Sequence, residues 1–327
     1  MSSGLPSTDE LLEGALAFSI PLTTPFRRTE FREGLLIRGP AGWGEFAPFP
    51  EYGPGESARW LSAAIEAAWI GWPQAVRDTV PVNAIVPAVD AEAAAQLVRA
   101  SGCRTVKVKV AEPGQTLADD LARVAAVREA LGARGRIRID ANGGWTTSAA
   151  VVALRALGEV GLEYVEQPCA TLVECAALRR VVDVAVAIDE ELRKADDPHR
   201  VVGLREAADV LVLKVPPMGG VRPALAVADT YDRPCVVSSA LDTSVGLAAG
   251  LALAASLPQL TYACGLGSGL LLASDVTDDR LLPVEGVLRV RDVSPSPDAR
   301  DAGGMSPAGL ARWRRRLTQA LDALSVD

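Results

Sequence analysis

The sequence predicts a TIM-type (β/α) barrel together with an α+β N-terminal capping region. From residue 82 to about residue 275, short β-branched runs alternate with Ala/Leu/Arg-rich segments of helical length, which is typical of repeated βα units. Several of the apolar runs end on charged residues, and the carboxyl ends of barrel strands are where functional groups gather. The residues before 82 and after 275 lack this alternation, which predicts that they form a different structure.

The capping region is predicted over residues 1–81. Leu35–Arg38 and Trp43–Phe46 are candidate strands, and a turn at Gly39–Gly42 joins them. Ser57–Trp72 follows as a candidate helix. An antiparallel hairpin leading into a helix predicts a small α+β unit.

The barrel is predicted over residues 82–275, with eight strands. The candidate strands are Val82–Val89, Thr105–Val110, Arg136–Asp140, Tyr164–Glu166, Val184–Asp189, Val210–Val215, Cys235–Ser239 and Thr261–Gly265. The intervening helices include Leu117–Leu131, Ser148–Leu157, Leu172–Val182 and Ala224–Asp229. An open doubly wound sheet also alternates, but it usually has fewer units and a glycine-rich phosphate loop, and no such motif follows the first strand here.

The segment 276–327 is expected to pack on the capping region. It contains a short candidate strand at Val287–Val290, a Pro/Ser-rich loop at Val293–Pro297 and a basic candidate helix at Ala308–Leu324. The basic cluster Arg312–Arg316 is interpreted as a solvated helix face rather than a nucleic-acid-binding element.

Composition narrows the class of partner. The chain has 327 residues, is 49% apolar and carries a formal charge of -8, so it offers no basic stripe to neutralise phosphates and no nucleic-acid partner is expected. The longest apolar stretch, Val245–Leu257, is shorter than the roughly 20 residues that cross a bilayer, which predicts a buried barrel helix and no membrane partner. The acidic N-terminal segment does not resemble a signal peptide, so we expect a cytoplasmic protein with a small-molecule substrate. Monomer and homo-oligomer both stay open.

The cysteines and the single histidine are interpreted as structural. Five scattered cysteines without a CxxC pair predict reduced, mostly buried thiols, and Cys169 is the one that could line a site. His199 follows two aspartates at a candidate helix start and is expected at the surface.

The segment TVKVKV places two lysines on one side of a strand. Because side chains alternate along a strand, Lys107 and Lys109 share a face while the valines occupy the other. Inside a barrel, mutual repulsion and desolvation are expected to lower the pKa of one lysine, which could then act as a base. An exposed edge strand with both lysines in water is the alternative.

Three carboxylates end three consecutive predicted strands. Asp140, Glu166 and Asp189 each have an ordinary explanation alone, such as a turn former or a helix cap. Together they would converge on one barrel rim, where oxygen-only ligation suits Mg²⁺ or Mn²⁺ rather than zinc. Lys214 ends the sixth strand, opposite the two lysines, so a substrate at the metal would lie between lysines on both sides.

This order of motifs resembles the enolase superfamily, specifically its muconate-lactonizing subgroup. The motifs are KxK at 107–109, D-x-N at 140–142, E-Q-P at 166–168, D-E at 189–190 and a further lysine at 214. The resemblance implies a Mg²⁺ site and removal of a proton α to a carboxylate. It assigns Lys109 as the general base, Lys107 as its electrostatic partner, Lys214 as the opposing lysine, Asp140, Glu166 and Asp189 as metal ligands, and Asn142, Gln167 and Glu190 as their supporting neighbours. With one histidine in the chain, branches that use a histidine base are disfavoured.

Four further segments resemble the o-succinylbenzoate synthase family of menaquinone biosynthesis. They are PFRRTEFREGLLIRG, WGEFAPFPEYG, VVSSALDTSVGLAAG and CGLGSG. The resemblance implies a hydro-lyase that dehydrates 2-succinyl-6-hydroxy-2,4-cyclohexadiene-1-carboxylate to 2-succinylbenzoate. The substrate is then a dicarboxylate, which needs donors for its second carboxylate.

Small polar residues at the ends of strands seven and eight are candidates for that role. They are Ser238, Ser239, Gly265 and Gly267, with turn-forming small residues as the alternative interpretation. In the capping region, a loop from Thr23 to Arg32 is expected to close over the ligand, with Arg27 or Arg32 in contact with it.

Two other functions stay open at this point. An N-acylamino-acid racemase or dipeptide epimerase would use the same lysines. A barrel that binds a ligand without catalysis would show neither Mg²⁺-dependent turnover nor Mg²⁺-dependent thermal stabilisation.

Overall fold

A computed structural model describes residues 4–26, 29–297 and 304–325 of the protein. The amino-terminal unit is built on an antiparallel three-stranded sheet of order β1-β2-β3. Its elements are helix α1 (Thr8–Leu12), strands β1 (Leu16–Phe26), β2 (Thr29–Gly39) and β3 (Gly42–Phe46), helix α2 (Pro54–Ile65) and a π-helical turn (Glu66–Ile70). The predicted hairpin is confirmed as β2 and β3. The predicted helix is also confirmed, but it begins earlier, because Pro54 takes the first helical position after the Gly53 cap.

Strand β1 is the longest of the elements that the sequence pattern does not predict, which also include α1 and the short strand at Thr79–Pro81. Pro21 and Pro25 interrupt it, and prolines are tolerated in a strand at the sheet edge, which β1 occupies. Because β1 and β2 form one long hairpin, most of the expected Thr23–Arg32 loop is strand, and that expectation is wrong. Arg27 lies outside the described residues.

The barrel is formed by a parallel sheet of seven strands whose order follows the chain. After the short strand β4 (Thr79–Pro81) come β5 (Ala84–Val86), β6 (Thr105–Lys109), β7 (Arg136–Asp140), β8 (Leu162–Glu166), β9 (Val186–Ile188), β10 (Val210–Leu213) and β11 (Cys235–Val237). The predicted barrel architecture is confirmed for these strands.

The eighth predicted strand, Thr261–Gly265, is wrong as a strand. Cys264 bridges to Val82 and Gly265 to Ser238, so two residues join the sheet edges through isolated bridges. The strands nearest this seam, β5 and β11, have three residues each, so they offer little length for pairing. The seam is therefore closed by two isolated bridges, each with two backbone hydrogen bonds, rather than by a continuous ladder.

Helices follow most of the barrel strands. They are α3 (Ala91–Ser101), α4 (Leu117–Leu131), α5 (Thr147–Ala156), α6 (Leu172–Arg179), α7 (Glu190–Arg193), α8 (Leu204–Ala207), α9 (Val215–Met218), α10 (Val221–Tyr231) and α11 (Ser244–Ser256), with 3₁₀ turns at Gly158–Val160 and Ser268–Leu271. Threonines at 116 and 171 begin α4 and α6 with complete capping boxes. Helix α6 stops before its predicted end, where Val181 and Val182 form a β-branched pair that is unfavourable in a helix.

The register of the sheet aligns the charged residues inside the barrel. Lys109 pairs with Asp140, and Asp140 pairs with Glu166, so all three lie at one level. The alternating residues Val106, Val108 and Val110 face the surrounding helices, with at most 2% of their surface exposed. The charged side chains thus collect at the carboxyl ends of β6, β7 and β8.

The segment after the barrel joins the amino-terminal unit. Strand β12 (Val287–Arg289) pairs antiparallel with β4, and helix α12 (Pro307–Leu324) packs on α2. Trp313 of α12 meets Phe46 edge to face at a centroid distance of 6.0 Å. A second hydrophobic core therefore lies between α12, α2 and the three-stranded sheet. Arg312, Arg314 and Arg315 are exposed on α12, as predicted. Arg316 differs from the prediction, because it is partly buried and donates to the Pro48 and Tyr52 carbonyls.

Two buried glutamates of the amino-terminal unit cap barrel helices. Glu45 accepts hydrogen bonds from Thr243 N and Gly246 N at the start of α11. Glu66 accepts from Val221 N and Arg222 N at the start of α10. Carboxyl oxygens at helix N-termini satisfy open backbone N–H groups, so these contacts attach the amino-terminal unit to the barrel.

Within the described parts of the chain, no helix combines the length and apolar character that a membrane crossing needs. The long apolar stretch near residue 250 is helix α11, and its residues are buried among barrel elements. This agrees with the predicted buried barrel helix.

Candidate active site

The six charged residues singled out in the sequence meet at the barrel mouth. A cavity there is lined by Lys107, Lys109, Asp140, Asp189 and Lys214, and Glu166 lies beneath them, in contact with Lys107. The rest of the cavity wall consists of apolar side chains and uncharged polar side chains. It comprises Phe49, Ile85, Asn142, Ser238, Ser239, Ala240, Leu241, Ser268 and Leu271.

Lys109 and Lys107 point into the barrel from strand β6. Lys109 Nζ lies 2.7 Å from Asp140 Oδ2 and donates to Asn142 Oδ1 at 2.6 Å. Lys107 Nζ lies 2.8 Å from Glu166 Oε1 and 3.1 Å from Asp140 Oδ2. The alternative of an exposed edge strand is thereby excluded, since both side chains are buried.

The electrostatics of Lys107 differ from the expectation. Burial lowers its pKa, but the adjacent Glu166 and Asp140 carboxylates outweigh burial, so the pKa of Lys107 is raised. The expected lowering by lysine–lysine repulsion does not hold for this residue. Lys107 therefore stays an ammonium and supplies a fixed positive charge.

The three carboxylates are almost fully buried, each with 1% of its surface exposed. Burial would raise the pKa of Asp140, yet Lys109 and Lys107 hold it well below its usual range. Burial would also raise the pKa of Asp189, but the positive charges of Lys214 and Arg193 outweigh burial, so this pKa is lowered as well. Burial and the Asp140 charge raise the pKa of Glu166 to about 7. Asp140 and Asp189 are therefore held as carboxylates at neutral pH.

Lys214 follows strand β10 and faces the lysines of β6 across this group. Its Nζ lies 2.5 Å from Asp189 Oδ2, and its surface is 8% exposed. The order of the sheet places β10 four strands away from β6. Lysines thus approach the three carboxylates from two sides, with Lys107 and Lys109 on one side and Lys214 on the other.

The expected supporting residues make a connected hydrogen-bond chain. Asn142 Nδ2 donates to Glu190 Oε1 at 3.2 Å, and Arg193 Nη2 donates to the same oxygen at 2.9 Å. Gln167 Oε1 accepts from the backbone N–H of Asp189 at 3.1 Å. Arg193 also donates to the hydroxyl of Tyr52, which belongs to the amino-terminal unit.

Backbone strain is concentrated at the same rim. Four non-glycine residues that follow barrel strands have positive φ, namely Ala111, Asn142, Gln167 and Leu241. Such conformations cost about 1–3 kcal/mol each and gather at functional sites. Here each of them lies within two residues of a charged or cavity-lining residue, where the chain turns away from the barrel strand.

Of the four proposed donors for a second substrate carboxylate, the two serines line the cavity and the two glycines do not. Ser238 and Ser239 line the cavity, and Ser239 Oγ lies 2.8 Å from Ser268 Oγ. Gly265 N already donates to the Val237 carbonyl, so its N–H serves the barrel seam rather than a ligand. Gly265 and Gly267 are absent from the described cavity wall, although a side chain at Gly265 would strike Ser238 Oγ.

Two protein-family models match this chain and account for both units. The model described as "Enolase N-terminal domain-like" matches residues 17–68, and "Enolase C-terminal domain-like" matches residues 89–297. Among curated proteins, the o-succinylbenzoate synthase of Thermobifida fusca is 60% identical over 304 residues, which cover 93% of this chain and 95% of that protein. The o-succinylbenzoate synthase of Mycolicibacterium smegmatis is 53% identical over 315 residues, covering 96% of each chain.

The chain belongs to the o-succinylbenzoate synthase family of the enolase superfamily. Solved structures agree with the enolase-type fold of this family. The L-Ala-D/L-Glu epimerase from Bacillus subtilis superposes with a TM-score of 0.72 at 23% identity, covering 86% of this chain and 96% of that chain. The muconate lactonizing enzyme from Pseudomonas putida gives 0.70 at 19% identity, with 86% and 94% covered. At these identities the likeness concerns the fold.

In this o-succinylbenzoate synthase family member, the sequence did not point to several site residues. Arg193, Tyr52 and Ser268 reach the site through contacts between distant elements, which no local pattern reveals. One signal was available for the lysines, because the whole sequence contains four and three of them line this cavity. Cys169 is fully buried and is not among the described lining residues, as the structural interpretation predicted. His199 is exposed, as expected.

Proposed function

We propose that the protein is an o-succinylbenzoate synthase that removes water from 2-succinyl-6-hydroxy-2,4-cyclohexadiene-1-carboxylate in menaquinone biosynthesis. The observation that carries the proposal is Lys109 opposite Lys214 across three buried carboxylates, in a chain 60% identical to a protein of that name. A cytoplasmic location accompanies it, supported by five free, buried cysteines of the kind kept in reducing compartments.

The donor set fits a divalent cation. Asp140, Glu166 and Asp189 present only oxygen, stand on adjacent strands and are shielded from water, which suits Mg²⁺, with Mn²⁺ as the alternative. As the side chains lie here, lysine ammonium groups hold these oxygens, and no three acidic, His or Cys side chains in the described ranges are grouped as ready ligands. When bound, Mg²⁺ supplies positive charge beside the substrate carboxylate as negative charge develops on it.

Lys109 is the proposed base. Asn142 Oδ1 holds its Nζ from one side, and Arg193 anchors Glu190, which in turn holds Asn142. Lys109 takes the proton from the ring carbon α to the carboxylate, while Lys107 remains charged beside it. The protonated Lys109 then gives a proton to the departing hydroxyl on the same face, so the C–O bond breaks and water leaves. The ring becomes aromatic, and Lys214 serves as a cation on the other face.

A second candidate function rests on the same pair of lysines. Racemisation or epimerisation needs one group to remove a proton and another to return it from the opposite face, and Lys109 and Lys214 have that relation. The candidate activity is that of an N-acylamino-acid racemase or dipeptide epimerase. The high identity to proteins named for the dehydration favours the first proposal.

The test compares both reactions in one preparation. Purified protein with Mg²⁺ is expected to form 2-succinylbenzoate, to lose activity with a chelator and to gain thermal stability with Mg²⁺. Racemisation of N-succinyl and N-acetyl amino acids that is faster by orders of magnitude would contradict the synthase proposal. A protein without turnover or Mg²⁺-dependent stabilisation would be a non-catalytic member of the fold.

The Lys109→Met variant tests the assignment of the base. We expect kcat to fall by about 10²–10⁴-fold, the usual contribution of a positioned base. Lys194→Met is the matched control, since Lys194 is exposed and is not among the described residues of the cavity wall, and its kcat should equal that of the unmodified protein. Equal losses in both variants would show that the effect of Lys109 is not specific to its position.

A further inference from the structure

Arg32 crosses from the amino-terminal unit to the barrel mouth. It lies on strand β2 and has only 2% of its surface exposed. The sequence interpretation offered it as a ligand contact from a loop, but it belongs to a strand and is not among the described residues of the cavity wall. Its function must therefore be sought in the residues that it holds.

The guanidinium group joins two parts of that wall. Arg32 Nε donates to the Leu241 carbonyl at 2.8 Å, and Leu241 belongs to the loop between β11 and α11. The same group stacks on Phe49, 4.9 Å from the ring centroid, and Phe49 belongs to the amino-terminal unit. Leu241 and Phe49 both line the cavity. One buried side chain thus fixes a wall residue from each unit.

Leu241 is a position where such a contact matters. Its φ of 65° is unfavourable for a leucine, so the surrounding contacts must hold this conformation. A carbonyl that accepts from a charged, planar donor is held more firmly than one that accepts from a neutral donor. The same loop carries Ser238 and Ser239, which also line the cavity.

Acidic groups lie beside Arg32. Glu45 Oε1 is 3.9 Å from Arg32 Nη2, and the Asp242 carboxylate also interacts with this arginine. Because Arg32 Nε is bonded to Leu241 and the guanidinium plane lies on Phe49, Arg32 is well suited to hold the wall.

We propose that Arg32 is a positioning residue that sets the wall of the substrate cavity and so determines substrate affinity rather than the rate of proton transfer. This inference rests on the proposed function for its kinetic part. The described contacts of Arg32 include neither the reacting lysines nor the three carboxylates, so the expected signature is an increase in KM with kcat preserved.

The test uses Arg32→Met. Methionine retains an unbranched side chain like the aliphatic part of arginine but lacks the hydrogen-bond donors and the positive charge of the guanidinium group. We expect KM for the cyclohexadiene substrate to rise at least tenfold and kcat to stay within about threefold. Arg38→Met is the matched control, because Arg38 is exposed on the same strand and stacks only on the Trp43 ring among its described ring contacts. Its kinetic constants should not change.

Amide hydrogen exchange supplies a readout that needs no reaction. In Arg32→Met, exchange should be faster at residues 239–243 and around Phe49, and unchanged in strands β6 to β8. If the unmodified protein has no dehydratase activity but this exchange pattern appears, the proposed function fails and the wall assignment stands. If activity is present but Arg32→Met leaves both KM and exchange unchanged, the assignment to Arg32 is overturned.

Arg32→Lys keeps the test decisive if the methionine variant does not fold. Lysine keeps the charge beside Glu45 but loses the planar group that stacks on Phe49. We expect an intermediate rise in KM. A fall in kcat with unchanged KM would overturn the proposal, because it would assign Arg32 to the chemical step.

Discussion

Three lysine side chains lie inside the barrel mouth of a chain that contains four lysines among 33 lysine and arginine residues. The fourth, Lys194, is exposed, and arginine carries nearly all the remaining positive charge. The two residue types differ in one property that matters here, since an amine can lose its proton in a protein and a guanidinium does not. Lysine is therefore placed where proton transfer is possible.

Replacing Lys214 by arginine tests which of the two lysines must give up a proton. Lys214→Arg keeps a cation near Asp189 but removes a group that can titrate, so dehydration should persist within about tenfold. Any racemase activity should be lost, because racemisation needs proton transfer on both faces. Lys109→Arg, measured beside it by product formation, should abolish both reactions. Loss of dehydration in Lys214→Arg would contradict the role of a simple cation.

The elements of the amino-terminal unit approach each other very closely. A side chain built at Gly44 of β3 would lie 2.1 Å from the Ala64 carbonyl oxygen of α2. Backbone atoms of a helix cannot move aside as a flexible side chain can. The strand and the helix therefore pack at this distance only with glycine between them.

We expect Gly44→Ala to force β3 and α2 apart and to lower the free energy of unfolding by about 1–3 kcal/mol, the usual cost of overpacking. The control is Gly158→Ala, because Gly158 is exposed, has no atom within 4 Å of an added Cβ and does not have a positive φ. That variant should differ from the parent by less than about 0.5 kcal/mol. Urea unfolding followed by circular dichroism measures both, and equal stability of the two variants would refute the close approach.

Glu45, which accepts hydrogen bonds at the start of helix α11, is expected to make the stability of the protein depend on pH. Burial and the neighbouring Asp242 carboxylate raise the pKa of Glu45 to about 8, despite the opposing charge of Arg32. Between its unfolded pKa near 4.5 and about 8, the folded state therefore holds a proton that the unfolded state releases. Stability falls as pH rises through this window, by at most about 1.4 kcal/mol per pH unit, and levels off above it.

Glu45→Gln cannot ionise but can still accept from Thr243 and Gly246. Its unfolding free energy should therefore decline less than that of the parent between pH 5 and pH 8. Unfolding curves at four pH values decide the point, and parallel declines in the two proteins would exclude Glu45 as the titrating group.

At the scale of the molecule, the cap is assembled from both ends of the described chain. Sheet β1–β3 and helix α2 come from the first 65 residues, whereas α12 comes from residues 307–324. Trp313, 3% exposed, lies in the core that these elements share. The cap is attached to the barrel by Glu45, Glu66 and Arg32, so its integrity also governs the cavity wall.

Trp313→Ala should lower stability by about 3–5 kcal/mol, the range for removing a buried tryptophan. Arg314→Ala, at the adjacent exposed position, should change it by less than about 0.5 kcal/mol. Thermal unfolding of both variants, with product formation measured at the same temperatures, checks this. If the tryptophan variant were as stable as the arginine variant, α12 would contribute little to the cap.

The parts of the structure that could be predicted are those that repeat locally. Strand periodicity predicted that Lys107 and Lys109 share one face, and the regular spacing of βα units predicted that the three carboxylates converge on one rim, as the register shows for Asp140 and Glu166. Strand β1 was not predicted, because prolines within a segment usually disfavour a strand. An edge strand tolerates them, and β1 lies at the edge of its sheet. The extra eighth strand came from a segment that makes single bridges, which composition cannot distinguish from a ladder.

The contacts between units were beyond prediction. Arg32, Arg193 and Tyr52 gain their importance from partners more than 100 residues away in the chain, and the pKa of Lys107 depends on distances to carboxylates on other strands. Such effects depend on how distant elements pack against each other, and the residue pattern of a single strand or helix does not predict that packing.

The sharing of the cap between early and late segments also bears on the order of events during synthesis. Because α12 is among the last described elements to leave the ribosome, the sheet β1–β3 must wait for its packing partner while the barrel strands are still being made. The contacts of Glu45 and Glu66 with α11 and α10 likewise span more than 150 residues. Such late, long-range closure slows folding, and it leaves the core that β1–β3 and α2 share with α12 incomplete until α12 has been made.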